Sequence, residues 1–192
     1  MIIEIKDVTK SYGSNKVLDN FNLKIESDYS YVVTGKPGCG KTTLVRILLG
    51  LESMDSGSVN LLGDYKYPYV VYGTVFQDDR LVMGLSAIDN IFMVSKNLYK
   101  ENIRLELLKF LPEEALHKPV QELTQGQRRL VAIVRACCIS SDILVMDEPF
   151  AGLTLEDKEK AITYIRDKQG SGPLLITATD TEGLDFARII NL

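Results

Sequence analysis

Tyr31-Val32-Val33-Thr34-Gly35-Lys36-Pro37-Gly38-Cys39-Gly40-Lys41-Thr42-Thr43-Leu44 is the stretch on which the fold turns. Its first four residues are β-rich and read as a buried strand. They run directly into Gly35 to Thr42, which fits G-x-x-x-x-G-K-[ST]. Beyond it, Leu44, Ile47, Leu48 and Leu51 share a helical stripe, with Gly50 near the end. Strand, glycine loop and helix in that order form a phosphate cradle. Glycines let backbone N–H groups wrap inward against anionic oxygens, and the helix turns its positive end toward the same anion. Lys41 supplies a mobile charge, and the Thr42 hydroxyl is a ligand for Mg²⁺. Gly35, Lys36, Pro37, Gly38, Cys39, Gly40, Lys41, Thr42 and Thr43 are the candidate phosphate-binding residues.

Working outward, the first thirty residues alternate apolar and polar side chains at Ile3, Ile5, Phe21, Leu23 and Ile25, with SYGSN (11–15) as the hairpin turn. Residues 57–76 are rich in Val, Tyr and Gly and predict short antiparallel strands. Tyr65, Tyr67, Tyr69 and Tyr72 read as a sheet surface. Ser86 and Asp89 form a capping box ahead of a helical stretch over about 86–111 that ends at Pro112. A further helix begins at Thr124 and carries Leu130, Ile133, Val134 and Cys137. A strand at 142–146, a helix at about 155–168 and strands at 174–178 and 188–191 complete the chain. Apolar strands alternating with helices predict an α/β fold, a P-loop NTPase core with a mostly parallel sheet. A small antiparallel β subdomain and a helical subdomain at about 86–140, inserted between 1–85 and 141–192, complete a single domain over 1–192.

Two further segments carry chemistry. Ile143-Leu144-Val145-Met146-Asp147-Glu148 is an apolar strand that ends in two carboxylates. Beside a phosphate site Asp147 can hold Mg²⁺, directly or through water, and Glu148 can polarise an attacking water. Leu123-Thr124-Gln125-Gly126-Gln127-Arg128-Arg129 starts a helix with a T-x-x-Q capping box, and Gly126 keeps its end open to an approaching group.

As a set, in this order and spacing, these motifs resemble the ATP-binding subunit of an ABC transporter over nearly the whole chain. The resemblance implies ATP and Mg²⁺ as cofactors. Val75-Phe76-Gln77-Asp78-Asp79-Arg80-Leu81 is similar to the family's Q-loop, which places Gln77 near Mg²⁺ and near the membrane-subunit contact. The same run is similar to importers of small anions such as nitrate and sulfonates. Tyr12 matches the aromatic that stacks on adenine, Asp147 the metal-site acid and Glu148 the catalytic base. The family pairs two chains head to tail, so that Thr124, Gly126 and Gln127 of one chain cap the γ-phosphate held by the other. The implied partners are a second ATP-binding subunit, identical or not, and transmembrane permease subunits. The implied location is the cytoplasm, at the inner face of the cell membrane.

Three positions depart from the family pattern. Thr124 and Gln125 stand where the signature L-S-G-G-Q has Ser and Gly. Leu153-Thr154 replaces Leu-Asp; Thr154 still caps the next helix, but a carboxylate facing the partner is lost. Thr179 occupies the place of the histidine that contacts the γ-phosphate. These motifs predict an ATPase that energises transport through ATP-driven dimerisation. The alternative is a nucleotide-binding regulatory subunit with weak or no hydrolysis, because Thr179 has a shorter reach and no imidazolium state.

Composition narrows the field. The 192 residues are 45% hydrophobic and 25% charged, which excludes disordered, collagen-like and coiled-coil classes. A net charge of −4 argues against a nucleic-acid binder held by electrostatics. No apolar run approaches the ~18 residues of a membrane span, and the amino terminus is a strand pattern and not a signal peptide. The three cysteines make neither metal spacing nor a disulfide framework, so a reducing compartment is expected. Cys137 and Cys138 read as core packing, His117 as a surface residue, and Arg128 and Arg129 as a solvated or subunit-facing charge pair.

Overall fold

The computed structural model describes residues 1–62, 69–95 and 97–192. Strands β1 (Ile2–Tyr12) and β2 (Asn15–Glu26) pair antiparallel around the Gly13–Ser14 turn, as their alternation predicts. β4 (Ser56–Leu62) adds to the other edge of β1, giving a three-stranded sheet in the order β2-β1-β4. The second sheet is parallel throughout, in the order β5-β6-β7-β3-β8. Its members are β3 (Ser30–Thr34), β5 (Tyr72–Val75), β6 (Ile143–Asp147), β7 (Leu174–Ala178) and β8 (Arg188–Asn191).

Side chains alternate across a strand, so a sheet buried on both faces needs two cores. On one face Val33, Ile143, Val145 and Leu175 pack against the antiparallel sheet and against α1 (Lys41–Leu48). On the other, Val32, Leu144, Met146, Leu174 and Ile176 meet α5 (Gln125–Cys138) and α6 (Leu155–Gln169). Between β5 and β6 the chain is helical: α2 (Ala87–Phe92), α3 (Lys100–Leu107), α4 (Glu113–Leu116), a 3₁₀ turn at Val120–Glu122, then α5. Among the described residues no helix is long and apolar enough to cross a membrane.

The structure corrects several local expectations. Leu51 lies beyond α1 and is exposed, because the helix ends at Leu48 ahead of Gly50 in a left-handed conformation. Among the described residues of 57–76 only β4 pairs antiparallel; β5 pairs parallel with β6 at the edge of the main sheet. Tyr65 and Tyr67 lie outside the described residues, Tyr69 is exposed, and Tyr72 belongs to β5. The stretch at 86–111 is two helices, α2 and α3. Buried Asn90 folds the preceding loop onto α2: its Oδ1 accepts from Val82 N–H at 2.7 Å, and its amide donates to the Ser86 carbonyl at 3.0 Å.

Helix α5 lies close against β5. A Cβ at Gly73 would stand 2.6 Å from the Ala136 carbonyl oxygen and 2.6 Å from Leu144 Cδ2. Gly73→Val is therefore expected to destabilise the chain by about 1–3 kcal/mol, as overpacking of a full core does. Urea unfolding measures this as a lower midpoint with unchanged slope; an unchanged midpoint would mean that α5 does not hold this approach.

Candidate active site

Parallel strands point their carboxyl ends one way, so the loops that follow them share one edge of the sheet. β5, β6, β7 and β3 lie side by side in that order. Gln77 follows β5, Glu148 follows β6, Thr179 follows β7 and the glycine loop follows β3. Residues 37, 38, 40–43, 77, 148 and 179, scattered along the chain, thereby meet in a cleft of about 700 Å³, whereas Gly35, Lys36 and Cys39 of the glycine loop do not line it. Its walls include Pro37, Gly38, Gly40, Lys41, Thr42, Thr43, Gln77, Glu148 and Thr179, with Tyr12 and Val17 contributed by the antiparallel sheet. A second cleft of about 710 Å³, at Tyr29, Arg166 and Arg188, contains none of the candidate residues.

The loop is shaped for an anion. Gly40 caps α1 at φ +113°, and a Cβ there would lie 2.5 Å from the Val17 carbonyl oxygen, so only glycine fits. Gly38, at φ +82°, has nothing within 4 Å of its would-be Cβ, which leaves its backbone open to a ligand. Lys41 is 6% exposed. Its ammonium donates to the Gly35 carbonyl at 2.8 Å, to Lys36 at 3.4 Å and to Thr179 Oγ1 at 3.3 Å. It also pairs with Glu148 Oε1 at 3.4 Å.

Glu148 is held from both sides. Thr179 donates to it twice, from its hydroxyl to Oε1 at 2.6 Å and from its N–H to Oε2 at 3.1 Å. The Glu148 backbone is left-handed at φ +48°, a strained state for a residue with a side chain. Its N–H donates to the Thr177 carbonyl and hydroxyl, each at 3.1 Å. That same Thr177 hydroxyl donates to Asp147 Oδ1 at 2.6 Å. Thr177 is fully buried and braces both carboxylate residues, a role invisible in a strand that reads simply as apolar. Asp147 is 1% exposed and does not line the cleft.

The donor set suits Mg²⁺. The Thr42 hydroxyl donates to Gln77 Oε1 at 3.5 Å, so two hard neutral oxygens adjoin the phosphate cradle. Mg²⁺ takes few protein ligands and completes its shell with phosphate oxygens and water. Among the described residues no group of three or more His, Cys, Asp or Glu side chains could hold a metal.

The segment at 123–129 lies elsewhere. Thr124 caps α5 and completes the capping box with Gln127: its N–H donates to Gln127 Oε1 at 3.0 Å, and its hydroxyl accepts from Gln127 N–H at 3.2 Å. A Cβ at Gly126 would stand 3.4 Å from the Gly152 carbonyl oxygen. Thr124, Gly126 and Gln127 do not line the cleft of their own chain.

A family model described as ABC transporter matches residues 18–151, more than half of the chain and with it the glycine loop, the 123–129 segment and the acid-tipped strand. The chain belongs to the ABC transporter family. The spermidine/putrescine import ATP-binding protein PotA of Spiroplasma citri is 36% identical over 98% of this chain and 58% of its own length. The xylose/arabinose import ATP-binding protein XylG of Sulfolobus acidocaldarius is 31% identical over 97% of this chain and 82% of its own. A solved dimeric ATP-binding cassette in a post-hydrolysis state, bound to ADP and Pi, superposes with a TM-score of 0.85 at 27% identity. It covers 99% of this chain and 94% of that one. The chain spans about half the length of the curated relatives it matches first.

Two expectations about this ABC cassette change with the structure in hand. Arg129 is not solvated: it is 5% exposed, and its guanidinium donates to the carbonyls of Phe76 and Gln77. Arg128 turns back to the Leu123 carbonyl at 2.5 Å. Sequence reasoning also passed over Arg135, which donates to the Asp79 and Arg80 carbonyls at 2.7 Å each. A charged residue five or eleven places beyond a helix cap gives no sign that it faces loop carbonyls. His117 is a surface residue as expected, its side chain 67% exposed beside Glu113. Cys137 and Cys138 pack against the core, and burial pushes both thiols up.

Proposed function

We propose that this chain is the ATP-binding and hydrolysing subunit of an import system and works as one of two paired cassettes beneath transmembrane permease subunits. The observation that carries this reading is the meeting of Lys41, Glu148, Thr42 and Gln77 in one cleft on a glycine-loop cradle. Residues 1–192 form the ATP-binding unit, with about 86–140 as its helical insert. Gly35 to Thr43 hold the phosphates, and Tyr12 stacks on the base from the antiparallel sheet. Thr42 and Gln77 would hold Mg²⁺, together with Asp147, directly or through water. When bound, Mg²⁺ neutralises charge on the phosphate oxygens.

Lys41 is the residue that must change partners. In this structure its ammonium is divided among loop carbonyls, Thr179 and Glu148. An entering phosphate takes that ammonium, and Glu148 keeps both donors from Thr179. Glu148 is then an oriented carboxylate that accepts a proton from the attacking water.

Thr124, Gly126 and Gln127 sit away from their own chain's cleft, which fits a site closed by the partner chain's helix terminus. Such a complex lies at the cytoplasmic face of the membrane, with the permease supplying the transport path. The 75–81 run points to a small anion of the nitrate or sulfonate type as cargo. Uptake assays with the cognate permease, comparing nitrate, a sulfonate and spermidine, test that cargo.

The regulatory alternative rests on Thr179. The two hydrogen bonds from Thr179 to Glu148 support hydrolysis instead, because they orient the base without a histidine. Thr179→His is expected to raise turnover, since imidazole adds a donor toward the γ-phosphate. One hydrogen bond to a charged group corresponds to roughly tenfold or more. Steady-state ATPase with the cognate membrane subunit is the measurement. Unchanged or lower turnover would mean that this position serves Glu148 alone.

A further inference from the structure

The five residues after β5 form a loop whose carbonyls have no strand to pair with, and two arginines of α5 take four of them. Arg129 Nη1 donates to the Phe76 carbonyl at 2.7 Å and Nη2 to the Gln77 carbonyl at 2.5 Å. Its Nε faces Asp79 Oδ1 at 3.1 Å. That oxygen is buried and has no hydrogen-bond partner among the described residues, the ion pair being too poorly aligned to count as one. Arg135 donates to the carbonyls of Asp79 and Arg80 at 2.7 Å each. Arg80 is left-handed at φ +48°, with its guanidinium 4.0 Å from the Phe76 ring centroid. The loop is therefore held in one shape by groups that belong to the helix capped by Thr124.

Arg129 differs from Arg135 in what it grips. It alone bonds the carbonyl of Gln77, whose side chain meets the Thr42 hydroxyl. A planar fork with two parallel donors fixes direction as well as distance. We propose that Arg129 is a positioning residue for Gln77: by clamping the 76–77 peptide to α5 it aims the Gln77 amide at the Mg²⁺ position beside Thr42. The proposal rests on the reading of Gln77 as a ligand in the nucleotide site. It assigns Asp79 a narrower task, to hold the fork in plane.

The test uses the full chain in a Glu148→Gln background, where bound ATP is not consumed. Calorimetry gives the ATP dissociation constant with Mg²⁺ and with EDTA, and the ratio of the two is the Mg²⁺ preference. Arg129→Met combined with Asp79→Asn removes the fork without stranding a buried charge. It is expected to lower the preference about tenfold, in the range for a lost group behind a metal ligand, while affinity in EDTA stays within twofold. Arg129→Lys, which keeps the charge but loses the fork, is expected to lose about threefold and carries the test should the double variant fail to fold. Asp79→Asn alone keeps the fork and should lose less than twofold.

A double variant with full Mg²⁺ preference, while Gln77→Ala loses it, would overturn the positioning role. Equal losses with Mg²⁺ and with EDTA would also overturn it, by marking Arg129 as a fold residue only. Asp79→Asn losing as much as the double variant would shift the role from the fork to the ion pair and likewise sink the proposal. Full preference in Gln77→Ala would instead remove the underlying reading of Gln77 itself.

Discussion

Glu148→Gln is expected to leave ATP binding intact and to lower steady-state turnover by about 10²–10⁴-fold, the range that general-base assistance supplies. The substitution keeps the shape of the side chain but replaces a charged, proton-accepting carboxylate by a neutral amide. Glutamine keeps the length and one acceptor for the donors of Thr179, and the backbone braces from Thr177 do not involve the side chain. It also removes the charge that Lys41 faces at 3.4 Å, which frees the ammonium for phosphate and favours retention of ATP. Two measurements decide the outcome. Calorimetry should show nucleotide affinity equal to or tighter than that of the parent chain, and phosphate release should fall to background. Turnover within tenfold of the parent would transfer the role of base to another group and return Glu148 to a structural carboxylate.

Lys41→Ala should fail at the earlier step. Lys41 is 6% exposed and its ammonium is already bonded to the loop it serves, so it is pre-placed for a phosphate and loses little freedom on binding. A hydrogen bond between charged groups contributes about 1.5–3 kcal/mol, so its removal should weaken ATP binding about 10–100-fold. Turnover at saturating ATP should fall a further 10²–10³-fold or so, the usual effect of deleting one donor to a developing negative charge. The fold should tolerate the change. Glu148 keeps both hydrogen bonds from Thr179. Unaltered affinity in calorimetry would mean that the cradle binds through its backbone alone.

Much of this site was legible because its signals are local. The glycine loop, the acid-tipped strand and the three N-caps at Ser86, Thr124 and Thr154 depend on neighbours within four residues, and each forms as its sequence reads. What escaped depended on distant parts of the chain. Gly73 is a plain glycine in the sequence, yet α5 sits against it. Thr177 looks like one polar residue among apolar strand neighbours, and its hydroxyl bridges Asp147 and the Glu148 backbone. Thr179 reads as a weakened γ-phosphate contact, whereas in the structure its donors go to Glu148.

The sequence by itself determined the class of this protein: an ABC cassette whose P-loop, Asp147-Glu148 pair and capped helix at Thr124 are each encoded within a few residues. Tertiary structure alone decided how those pieces act on one another. Strand order β5-β6-β7-β3 brings Gln77, Glu148, Thr179 and Lys41 to one sheet edge, and no local pattern specifies strand order. Arg129 shows the physical reason most directly. Read along the chain it is a charge on a polar helix end, belonging to solvent. In the fold it is itself buried and faces the carbonyls of a loop that has left its sheet, so its guanidinium finds there the acceptors that water would otherwise supply.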